Sequence, residues 1–111
     1  MQDTFKNHMI QNYELQELKE IARYGCVNGT AGTMIYYSQT IALYGQYTEE
    51  LHTIISDWCE QTGDTPEYLT KALAEGFTSF VNAVVWFCAE VLADELIIEY
   101  ETRGEIAWLD C

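Results

Sequence analysis

The chain has a single proline, two histidines and five basic residues among its 111 positions, and each shortage closes off a class of protein. With one Pro and seven Gly, the expected architecture is long helices joined by short Gly-marked turns. Two His leave general acid–base chemistry to carboxylates, and no Ser/His/Asp or Cys/His arrangement is legible, so no enzyme is expected. Five bases against 18 acids give a formal net charge of −13, which disfavours direct binding to nucleic acid or to an anionic membrane. Partners, by the same reasoning, should be basic. Cys26, Cys59, Cys88 and Cys111 lie far apart with no C-x-x-C pair, so neither a zinc nor a redox site is indicated. Cys59 and Cys88 read as small buried hydrophobes and Cys111 as a free thiol. The opening MQDTFKNHMI has no apolar signal-peptide region, and a reduced, cytoplasmic protein is expected.

What the chain does have is apolar substance: 49% hydrophobic and 14% aromatic residues, enough for one folded domain over residues 1–111 despite the charge. The densest stretch is Phe77 to Glu101, where Phe77, Phe80, Val81, Val84, Val85 and Cys88 cover more than one helical stripe. That pattern predicts a central helix surrounded by partners. Asn82, Glu90, Asp94 and Glu95 interrupt it too often for a bilayer span, which needs about 20 mostly uncharged apolar residues. The expected fold is therefore all-α, a bundle of five or six helices around a buried helix 77–101.

Taken in order, a short helix is expected over residues 2–10 from Asp3, then a second from an Asn12 cap through Tyr13–Tyr24 to a stop at Gly25. The Gly-rich segment 25–33 leads into a helix ending before Gly45. Lacking a Lys-Ser/Thr pair, G-x-G-x-x-G spacing or a preceding strand, it reads as a turn that allows close helix packing, not as a phosphate cradle. In the helix that follows, Met34, Tyr37, Ile41 and Tyr44 form one apolar stripe, with Tyr36 off it and facing water or a partner. Thr48 is the expected cap of a further helix carrying Leu51, Ile54, Ile55, Trp58 and Cys59, and Gly63 its end. Thr65 as N-cap and Pro66 at the first helical position open the next, buried through Tyr68, Leu69, Leu73 and Ala72. Ile106, Trp108 and Leu109 are expected to pack back onto the bundle.

Candidate chemistry is thin. Glu49-x-x-His52 is half of the paired motif of carboxylate-bridged di-metal bundles, and the second half is missing. Glu17-x-x-Glu20 and Asp57-x-x-Glu60 faintly echo a Mg-dependent nucleotide hydrolase but lack the cations such a site needs around phosphates. No cofactor or metal is expected. The acids themselves remain. Glu90–Asp94 and Glu95–Glu99 are like-charge i, i+4 pairs, each destabilising a helix by a few tenths of a kcal/mol, with no cation inside the stretch to relieve them. Asp57, Glu60 and Asp64 repeat the arrangement. At 1.5 Å per residue such carboxylates step by about 6 Å, of the order of phosphate spacing on a strand with one charge per roughly 3.4 Å. The seven residues Asp57, Glu60, Asp64, Glu90, Asp94, Glu95 and Glu99 are therefore the candidate partner-binding set, against the plain reading of a solvated face kept for solubility.

Across Gly25-Cys26-Val27-Asn28-Gly29 and Met34-Ile35-Tyr36-Tyr37-Ser38-Gln39-Thr40 the chain resembles small acidic proteins carried by phages and mobile elements. The resemblance implies a host-cell setting in which such proteins disarm DNA-binding defence systems, as anti-restriction or anti-CRISPR inhibitors do, and it carries over no functional residue. The function expected is inhibition of a basic, nucleic-acid-binding host protein by charge mimicry of nucleic acid. A small self-associating assembly protein, as a homodimer for instance, and a carboxylate-metal enzyme are the alternatives.

Overall fold

The computed structural model describes residues 3–26 and 29–103, and its described residues form six helices and no strand. These are α1 (Phe5–Asn12), α2 (Leu15–Tyr24), α3 (Thr30–Met34), α4 (Tyr37–Thr62), α5 (Glu67–Glu75) and α6 (Phe77–Arg103). The fold is the all-α bundle expected, and α6 packs against each of the other five helices. Val84, Val85, Cys88, Ala89, Ala93 and Leu96 on α6 are all inaccessible to solvent, so the middle of this helix is dry around most of its circumference, while its C-terminal half keeps a wet stripe at Asp94, Glu95, Ile98 and Glu101. Alanines at 83, 89 and 93 let neighbouring helices approach its axis closely. None of the described helices is long and apolar enough to cross a membrane. The tail residues Ile106, Trp108 and Leu109, and Cys111, lie outside the described residues.

Local chemistry explains where the helices begin, and it differs from the sequence reading at several ends. Helix α1 is capped by Thr4, whose Oγ1 accepts the Asn7 N–H at 3.1 Å. Asp3 is not the cap because its carboxylate is taken by the Tyr47 hydroxyl and the Gln46 amide, both at 2.7 Å. Glu50 of α4 closes the same helix end from outside, accepting the N–H groups of Phe5 at 2.9 Å and Lys6 at 3.2 Å. Helix α2 starts after Glu14 rather than Asn12: the Glu17 carboxylate reaches back to the Glu14 N–H at 2.9 Å, while Asn12 bonds the His8 carbonyl within α1. Helix α5 follows Pro66 rather than Thr65, and its buried residues are Leu69 and Ala72, with Leu73 exposed.

In α4 the expected break is present as a kink: the element Tyr37–Thr62 joins two helical stretches at Tyr47, which leaves helical geometry (φ −121°, ψ 26°), and only the expected cap at Thr48 fails. Thr48 spends its hydroxyl on the Tyr44 carbonyl, as Thr does inside a bent helix. Tyr47 holds the bend in place, being buried against Phe5 with ring centroids 5.7 Å apart and bonded to Asp3. The stripe Met34–Tyr37–Ile41–Tyr44 fails too: Tyr37 is 68% and Ile41 62% exposed, while Thr40, Leu43 and Tyr47 are buried. The chain stops being helical at Ile35–Tyr36 and restarts, so Met34 belongs to α3 and the helical phase is reset before α4 begins. Gly32 behaves as expected of a close-packing glycine, since a Cβ there would sit 3.2 Å from the Trp86 ring.

Candidate protein-binding face

Helices α4 and α6 bound a groove of about 580 Å³. Its apolar lining comes from Ile54 and Trp58 on one side and Val91 and Ile98 on the other. Trp58 is held in place by an edge-on contact with Phe87 at 5.2 Å, and Ile98 stays exposed. Three of the seven candidate acids, Asp57, Asp94 and Glu95, line this same groove. Neither Asp57 nor Asp94 has a cation within ion-pair distance among the described residues. The groove is thus a partly apolar channel edged with carboxylates, of which Asp57 and Asp94 are uncompensated among the described residues. Glu60, exposed in the last turn of α4, adds to the field and sits where the negative end of the helix dipole opposes it.

The other candidates divide. Asp64 is exposed but lies beyond the left-handed Gly63 cap (φ 73°), so it does not continue the helical spacing of Asp57 and Glu60. Glu99 is not wet as expected: it is half-buried and bonds Lys6 Nζ at 2.8 Å, with Glu95 meeting the same ammonium at 3.2 Å. The cation absent from the local sequence is thus supplied by α1. Burial alone would lower the Lys6 pKa, but its bonds to Glu99 and Glu95 outweigh that and hold it above the ordinary lysine value.

Glu90 leaves the face altogether. It turns toward the end of α2, where it accepts the Cys26 N–H at 3.3 Å and fills the space beside Gly25, so a Cβ at that glycine would come within 2.4 Å of the carboxyl carbon. Burial first, and then the Glu90 charge, push the Cys26 thiol up to about 12, and burial likewise raises the Tyr68 hydroxyl that contacts it to about 12. Cys26 therefore stays a protonated, weakly nucleophilic thiol at neutral pH. Sequence reasoning treated Glu90 as surface because helical spacing says nothing about which neighbour covers a position.

His52 shares a 2.9 Å hydrogen bond with the Tyr44 hydroxyl, and among the described residues no three His, Cys, Asp or Glu side chains converge as metal ligands. Trp58 and Ile98 line the groove without having stood out in the sequence as surface candidates, since an apolar residue beside a core helix reads as core.

No curated protein and no solved structure matches the chain. A family model described as a domain of unknown function, DUF7222, matches residues 1–102, nearly the whole of the chain and every helix around the groove, and the chain therefore belongs to the DUF7222 family.

Proposed function

We propose that this protein is a binding protein rather than an enzyme. On this reading it inhibits a basic, nucleic-acid-recognising host protein by occupying that partner's nucleic-acid site with the α4–α6 face. The observation that carries the reading is the convergence of Asp57, Asp94 and Glu95 from two helices on one groove that also exposes Ile98 beside the half-buried Trp58. A Lys/Arg-rich amphipathic segment matches both features, its cations meeting the carboxylates and its apolar side entering the groove. The mobile-element setting that the sequence resemblance implies supplies the purpose: denying a host defence protein its DNA or RNA.

The test is a charge reversal at positions free of other duties, Asp57→Lys with Asp94→Lys, in place of Glu95 and Glu99, whose reversal would also set new lysines against Lys6. A partner captured from bacterial lysate should bind the wild-type protein with affinity that falls steeply with salt, since exposed charges beyond about 8 Å are screened at physiological ionic strength. It should lose most of that affinity to the double reversal and be displaced by DNA or RNA. A partner that binds the double variant equally well, or that holds protein and nucleic acid together at full affinity, refutes the mimicry.

A second reading rests on the opposite end of the bundle, where Tyr36, Tyr37, Ile41 and Phe77 are exposed. Self-association there would be insensitive to salt and disrupted by Ile41→Glu, which light scattering would read directly.

A further inference from the structure

A second concavity, of about 330 Å³, lies where the start of α4 meets α5 and α6. Its buried lining residues are Ala72 and Asn82, its aromatic walls are Tyr37, Tyr68 and Trp86, and Lys71 and Glu75 stand exposed at its mouth. Asn82 is the unusual member. It sits in the driest part of α6, only 5% exposed, where the neighbouring positions are alanine and valine. Its side chain has one partner among the described residues, the Thr40 hydroxyl, which also lies 3.0 Å from the Tyr37 carbonyl.

A threonine hydroxyl has one proton to give. If Asn82 receives it, both amide N–H groups of Asn82 are unspent. If the Tyr37 carbonyl receives it, the amide turns round to donate one N–H to Thr40 and leaves its other N–H and its carbonyl unspent. In either arrangement a nearly inaccessible amide brings unused hydrogen-bonding capacity to the pocket, and buried polar groups are stable only when partnered. Of the other polar atoms in the walls, the Trp86 indole N–H is committed to the Ile35 carbonyl at 2.8 Å and the Tyr68 hydroxyl to Cys26, while the Ser79 hydroxyl also lines the pocket, less buried than Asn82. Tyr37 and Trp86 instead form an edge-to-face pair, centroids 5.1 Å apart, that presents π surface to whatever enters.

We propose that this pocket binds an uncharged planar heteroaromatic molecule of the nucleobase or nucleoside class, its amide-type edge read by Asn82 and its ring held by Tyr37 and Trp86. Such a ring supplies the adjacent donor and acceptor that either orientation of Asn82 can use, and a flat face for aromatic stacking. A phosphorylated form is disfavoured, because Lys71 lies 3.5 Å from Glu67 and shares the mouth with Glu75 on a chain of net charge −13.

The test is titration of the ¹⁵N-labelled protein with adenosine and with uridine, following the Asn82 side-chain amide, with adenosine monophosphate and indole as comparisons. At least one nucleoside should shift the Asn82 amide saturably and bind more tightly than its phosphorylated form or indole. Asn82→Leu should weaken it by roughly 10–100-fold, as expected for one lost buried hydrogen-bonding group. Tyr37→Ala, at an exposed ring whose loss leaves the core intact, should weaken it as well and keeps the test sound if Asn82→Leu fails to fold. The proposal is overturned by no saturable shift with either nucleoside, by full affinity in Tyr37→Ala or in folded Asn82→Leu, or by tighter binding of the monophosphate or of indole.

Discussion

Replacing Gly25 with alanine tests whether Glu90 is a structural residue, as its geometry requires, or a member of the acidic face. Gly25 has φ +44°, ψ −141°, a backbone conformation that side-chain-bearing residues rarely adopt, and its missing Cβ leaves the room in which the Glu90 carboxylate sits at 2.4 Å. The backbone strain of such a substitution is about 1–3 kcal/mol. Displacing Glu90 also breaks its bond to the Cys26 N–H, which at 3.3 Å and half-buried is worth about 1 kcal/mol. Gly25→Ala should therefore cost about 2–4 kcal/mol, a sizeable part of the roughly 5–15 kcal/mol that holds a protein of this kind folded. The two contributions separate in a double-mutant cycle. In a Glu90→Ala background the clash is gone and only strain remains, so the same glycine replacement should cost about 1 kcal/mol less. Urea unfolding followed by circular dichroism measures all four corners. A cost below about 0.5 kcal/mol for Gly25→Ala, or an identical cost in both backgrounds, would refute the assignment of Glu90 to this contact.

Two other outcomes follow from the same geometry. Glu50→Ala strands the first N–H groups of α1 and should cost about 2 kcal/mol, with Glu50→Gln recovering part, and hydrogen exchange at Phe5 and Lys6 should quicken; unchanged exchange would mean α1 is held without this cap. Burial raises Tyr47 and Tyr68 from 10.0 to about 12 and Cys26 from 9.0 to about 12. Groups whose folded pKa is raised contribute stability that is whole below the unfolded value and lost as pH rises through the folded one, so the unfolding midpoint should fall from about pH 9 toward pH 12. The Cys88 thiol, pushed up by burial from 9.0 as well, keeps the onset near pH 9 in Cys26→Ser, which should only make the fall shallower; a midpoint flat from pH 8.5 to 11 would contradict these shifts.

The hub was legible because the first half of α6 is apolar on more than one side: a helix with Val81, Val84, Val85 and Cys88 all needing cover can only be central. The stop at Gly63 was legible for an equally local reason, a glycine in left-handed geometry ending a strongly periodic helix. The path of α4 was legible in part. Gly45 and Thr48 carry the local signature of a break, and a kink stands between them at Tyr47; what holds it, the packing of Tyr47 against Phe5, far off in sequence, has no local signal. The candidate acids show the same division. Their spacing on α6 was visible, but whether each was wet depended on α1 and on the end of α2, which deliver Lys6 to Glu99 and Cys26 to Glu90. Asn82 drew notice in the sequence only as an obstacle to a membrane span; its place beside Thr40 and the aromatic pocket follows from a contact across 42 residues.

The placement of cations sharpens the case that the remaining acids are more than solubilising. Lys6, Lys19, Arg23 and Lys71 lie on α1, α2 and α5, whereas α4 has no basic residue and α6 none before Arg103, its last residue. Solubility depends on net charge and is indifferent to where on the surface that charge lies. A charge kept for solubility has no reason to collect on the two helices that bound an apolar groove, nor to occupy the last turn of α4, where a carboxylate opposes the helix dipole at a cost of about 0.3–1 kcal/mol. Uncompensated acids concentrated at Asp57, Glu60 and Asp94 produce a local field instead, one that decays over about 8 Å at physiological salt and so acts on whatever docks in the groove. On the reading proposed above, a cationic surface that docks there completes that field and offsets the stability given up to hold it.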